Sequence, residues 1–89
     1  MSKTTAGSTT AVSVATSSTP IVGQNLGRRE LTITNDGANI VYLALGSTAI
    51  ASNGIRLAAS GGSYTTSRWQ GPVSAIALTG ATVVTVAEF

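Results

Sequence analysis

From residue 28 to residue 89 the chain is a succession of short apolar runs, each cut off by Gly, Pro, Asn or Asp. Apolar side chains alternate or run together over a few positions and never recur at the three-then-four spacing of an amphipathic helix. Alternation is the period of a strand with one buried face. A chain broken this often leaves no room for a helix of ordinary length, about 11 residues. The pattern therefore predicts an all-β domain, a small antiparallel β-sandwich or jelly-roll-like domain of about seven to eight short strands.

The clearest alternation covers residues 28–34, with Leu31 and Ile33 on one side and Thr32 and Thr34 on the other. Asn35-Asp36-Gly37-Ala38 follows, and Asp-Gly is a preferred pair for the positive φ of a tight hairpin turn. Residues 39–45, apolar on both faces, are then expected to return beside 28–34 as a central strand, with Tyr42 half-buried in the core. Ile55-Arg56-Leu57 and residues 63–66 read as two short strands around a Gly61-Gly62 turn. Gly71-Pro72 forces a loop. Residues 73–78 and 82–87 are β-branched strands, expected to form a second hairpin through Thr79-Gly80-Ala81.

The first 22 residues differ from the rest. Residues 1–10 are small and polar, expected as an arm, and Val12 and Val14 mark an added strand from residue 10 before Pro20. The domain division expected is an arm over 1–22 and a sandwich over 23–89.

At 89 residues the chain makes one domain. So short a chain buries only about 60–65% of its unfolded surface. Without cysteine or histidine, neither disulfides nor zinc can compensate. Charged residues make up 9%, against about 25% in an average domain. Self-association is the compensation left, as a dimer or trimer. The net charge of +2 rests on Lys3, Arg28, Arg29, Arg56 and Arg68. Those are too few and too scattered for a nucleic-acid footprint. No signal-peptide core and no run of membrane-spanning length appears, so no membrane partner is expected and the protein is expected to be used without translocation.

Catalysis has little to work with. The side-chain carboxylates are Glu30, Asp36 and Glu88. Asp36 is accounted for by the turn, and the two glutamates by solvent or a cross-strand pair with Arg. No histidine stands ready to activate a Ser or Thr hydroxyl, and dispersed carboxylates make no calcium cage. We expect no enzyme, no metal and no cofactor. Interface candidates are Arg28 and Arg29 (the one adjacent pair of cations), Tyr64, Arg68 and Trp69 in one segment, and the terminal Phe89, since interfaces are enriched in Arg and aromatics. Trp69 admits three readings: a plug in one end of the sandwich, a protein anchor, or a stacking platform for a sugar ring.

Three stretches, RRELTITNDGANIVYLALG at 28–46, NGIRLAASGGSY at 53–64 and GPVSAIALTGATVVTVAEF at 71–89, together resemble a family of small virion proteins of tailed bacteriophages. The resemblance implies a compact β-sandwich in the virion, made in the host cytoplasm. There it would decorate the head as a cement protein bound to the major capsid protein or other virion subunits. The alternative it implies is a head- or tail-fibre module that contacts host glycans.

Overall fold

A computed structural model of the chain describes residues 7–89. It contains eight strands: β1 (Ser8–Val14), β2 (Thr19–Val22), β3 (Leu31–Asn35), β4 (Val41–Leu45), β5 (Ile55–Leu57), β6 (Ser63–Thr66), β7 (Val73–Ala77) and β8 (Thr82–Glu88). All pairings are antiparallel, and the strands form two four-stranded sheets ordered β1-β8-β3-β6 and β2-β7-β4-β5. The fold is the expected all-β sandwich.

Its wiring is that of a jelly roll. β1 pairs with β8, β2 with β7, β3 with β6 and β4 with β5. The chain is thus one long hairpin with its tip at β4–β5. Rolled up, it places alternate pairs in different sheets, β1–β8 with β3–β6 in one and β2–β7 with β4–β5 in the other, and β3–β8 and β4–β7 contacts close each sheet.

Alternation decides what is inside. In β3 the inward set is Leu31, Ile33 and Asn35; in β4, Val41 and Leu43; in β8, Thr82, Val84 and Val86. Together with Val14, Ile21, Leu57, Val73, Ala75 and Ala77 the apolar members form one core between the sheets. At about 1.5–3 kcal/mol per fully buried Val, Leu or Ile, this set is the main stabilising term.

Both expected hairpins are overturned. β3 lies in one sheet and β4 in the other, so residues 36–40 form an arch across the sandwich rather than a turn within a sheet. The same holds for β7 and β8 across residues 78–81. Gly37 is not among the positive-φ residues. It is required instead because a Cβ there would stand 1.5 Å from Thr82 Oγ1 and 3.0 Å from the Val83 nitrogen. A β-arch and a hairpin share the same turn vocabulary, which is why the local pattern could not separate them.

β4 is interior to its sheet, as expected, but Tyr42 faces outward opposite Arg56 and Ile76 rather than into the core. The strand expected from residue 10 begins at Ser8, and β1 and β2 supply one edge strand to each sheet. Residue 22 therefore bounds no separate arm; the arm expected over 1–10 lies outside the described residues up to residue 6.

Candidate interaction surfaces

One end of the sandwich collects most of the chain's unusual residues. Leu31 stands opposite both Thr66 and Glu88, so the start of β3, the end of β6 and the end of β8 lie side by side. Arg28, Arg29, Arg68, Trp69 and Phe89 extend from these strand ends. Tyr64 sits two residues further along β6, opposite Ile33, half-buried against the core.

Arg28, expected at an interface, is turned inward within the chain, only 2% exposed. Its Nε donates to Glu88 Oε2 at 3.0 Å. Nη1 donates to the carbonyls of Trp69 and Gly71 at 3.0 and 3.2 Å, and Nη2 to that of Gly23 at 2.8 Å. A planar guanidinium with five fixed donors suits this task, which a lysine could not fill. The arginine thereby ties the 23–30 connection, the 67–72 loop and the last strand into one unit. Asn25 and Gln70 reinforce it: Asn25 Nδ2 donates to Glu88 Oε2 at 3.1 Å, and Gln70 Nε2 donates to the carbonyls of Leu26 and Arg28.

Glu88 is shifted by the same contacts. Burial raises its pKa, but hydrogen bonds from Asn25 and Arg28 and the charge of Arg28 outweigh that and hold the carboxyl below its ordinary value of 4.5. The cross-strand pairing expected of the glutamates is thus found for Glu88, as a tie to a buried arginine and not a bland surface contact.

Trp69 packs against the core, half-buried. Its Nε1–H donates to the Pro72 carbonyl at 3.1 Å. The six-membered part of the ring lies over Gly46 and Gly71, where a Cβ would come within 3.0 and 2.7 Å of it. Of the three readings, this packing matches the plug. Arg29 and Arg68 are exposed, as is Phe89 at 40%. The Phe89 main chain is fixed by Glu30 N–H and Arg29 N–H donating to its carbonyl and by its own N–H donating to Glu30.

A second polar centre was hidden in the supposed hairpin turn. Asn35 is fully buried. Its Nδ2 donates to the carbonyls of Asn39 and Leu57, and its Oδ1 accepts from Gly37 N–H and the Thr82 hydroxyl. All four amide hydrogen-bonding sites are used, and the side chain holds the β3–β4 arch against β5 and β8. Alternation was the available signal: Asn35 continues the inward set of Leu31 and Ile33.

The two sheets present different outer faces. On the β1-β8-β3-β6 sheet the outward strand positions are Thr9, Ala11, Ser13, Val83, Thr85, Ala87, Thr32, Thr34, Ser63 and Thr65. None is ionisable. Thr32 and Thr65 share a hydroxyl hydrogen bond, and Thr85 donates to Asp36 at the rim. The opposite face carries Pro20, Ser74, Ala44, Tyr42 and Ile76, with Arg56 as its one charge. Two open hollows beside the 46–54 connection are lined by small polar and aliphatic residues without a titratable side chain. Among the described residues, no three His, Cys, Asp or Glu gather where they could hold a metal, and no helix is long and apolar enough to cross a membrane.

Comparison with protein-family models, with curated proteins and with solved structures finds no match to this chain.

Proposed function

We propose that the protein is a structural subunit of a bacteriophage virion, a decoration or cement protein that binds the head lattice, made in the host cytoplasm and carried on the particle. One observation carries this reading: among the described residues, two broad outer faces bear, between them, a single charged strand residue, Arg56. Surfaces of average domains are far more charged. Hydroxyl- and methyl-covered faces can be desolvated against other protein without stranding charge. Weak contacts of that kind become strong when repeated over a lattice.

The jelly-roll wiring supports the same reading by analogy, since it recurs in viral capsid domains and in lectins. The lectin-like alternative, glycan contact through Tyr64, Arg68 and Trp69, gains nothing from the geometry. Trp69 is spent on Gly46, Gly71 and the Pro72 carbonyl, and Tyr64 leans on the core.

The test is a count of copies in purified virions by quantitative mass spectrometry and cryo-EM. Copies comparable to those of the major capsid protein are expected, with particles lacking the protein losing heat or osmotic resistance. A few copies per particle, or none, overturns the proposal.

A further inference from the structure

We infer that the outer edge of β1 is a self-association site, at which two copies pair antiparallel, β1 to β1, about a twofold axis at Ala11. Every open sheet has edges that invite pairing, and proteins usually obstruct them with proline, charge, bulges or brevity. Three of the four edges here are obstructed. β2 carries Pro20 and an irregular register between Pro20 and Val22. β5 is three residues long and bears Arg56. β6 has four residues, closed off by Gly61-Gly62 before it and Arg68 after it.

β1 has no such obstruction. It is seven residues long and pairs with β8 in unbroken register, without proline or charge. Ser8, Thr9, Thr10 and Ala11 are all exposed, so the first half of the strand is covered on neither face. Among the described residues it pairs with β8 alone.

The occupant follows from the same comparison. Among the described residues a second copy offers one unobstructed edge, its own β1, so contact between copies is isologous and closes as a dimer. Using all seven residues sets Thr9 opposite Ser13 of the second copy and Ala11 opposite its equivalent. No like charges meet. The two hydroxyl-rich outer faces then run on as one eight-stranded, uncharged face. This site stands independently of the virion reading.

Sedimentation equilibrium of the full chain tests it. Wild type is expected to dimerise with a Kd on the order of micromolar, because an edge pair alone buries less than the ~1,200 Å² of a stable interface. T9K/S13K, at two exposed outward positions, sets cations opposite each other in both halves of the pair and raises Kd about tenfold or more. T9K/S13E sets opposite charges face to face and restores the dimer. In wild type, amide exchange across residues 8–14 slows with rising protein concentration, a readout that needs no variant. A monomer up to about millimolar concentration, even one that binds capsids through β1, overturns the inference. So does a closed trimer, or a T9K/S13K protein that folds and dimerises like wild type. A T9K/S13E protein as weak as T9K/S13K overturns the seven-residue register.

Discussion

Arg28 concentrates the cost and the benefit of burying a charge in a small protein. Its guanidinium is compensated by one carboxylate and three carbonyls, all within 3.2 Å. Removing it leaves those carbonyls without this donor and Glu88 with the Asn25 amide alone. Glu88 is partly exposed, so the cost falls below the about 3–5 kcal/mol of breaking a fully buried pair, yet it is a substantial share of the about 5–15 kcal/mol that holds a domain together. Arg28→Ala is expected to melt well below wild type. Arg28→Lys, charged but without the fork, should recover only a minor part, as thermal melts followed by circular dichroism would record. Glu88 adds a pH dependence with a definite sign. Its folded pKa lies below the ordinary value that the unfolded chain restores. The stabilisation from the pair is therefore complete above that ordinary value and drains away as pH falls through the folded value. Wild type should lose stability in acid, while Glu88→Gln should be less stable at neutral pH with a shallower acid limb in urea titrations. Gly37 makes a steric prediction: Gly37→Ala should cost about 1–3 kcal/mol through its clash with Thr82. A Thr82→Gly partner change should return part of that cost, which a double-mutant cycle measures. Asn35 and Arg28 also mark where reading the sequence fell short. Each has a polar label, and polar labels are assigned to turns and surfaces by default. What reverses the default is the convergence of backbone groups from residues up to 43 positions away.

Among the elements, strand positions were legible and strand partners were not. The runs around Leu31, Tyr42, Leu57, Tyr64, Ile76 and Val84 all became strands near their expected limits. Period-two burial is a local property that one sheet face imposes on any strand. Whether Asn-Asp-Gly folds back within a sheet or arches to the other depends on which strand is already beside β3, and that strand is β8, some 50 residues on. β1 shows the same dependence. Its polar, exposed first half reads as an arm, yet Val14 is fully buried and the strand lies against β8 along its whole length. Removing residues 1–14 is therefore expected to do more than trim an end. It deletes a core side chain and bares the seven-residue edge of β8, so the product should aggregate or fail to show a cooperative melt. Trp69→Ala is a milder loss. Full burial would set the cost at about 3–5 kcal/mol, and a half-buried ring over two glycines should lose about 2 kcal/mol in denaturant titration, with the fold retained.

At the scale of the whole molecule, the rolled hairpin brings distant strand ends together into polar ties and turns its least charged surfaces outward. The amino-acid sequence by itself determined that this chain would be all-β, eight strands or nearly so, without the cysteine or histidine chemistry that small domains otherwise use. Those properties follow from residue type and from spacing over a few positions. Only the tertiary structure decided that the turns cross between sheets, that Arg28 and Asn35 lie inside, and that, among the described residues, β1 is the one edge without an obstacle. The physical reason is that pairing and desolvation are settled between segments far apart in the chain. A side chain's worth there depends on the neighbours that the roll delivers, which no local pattern records.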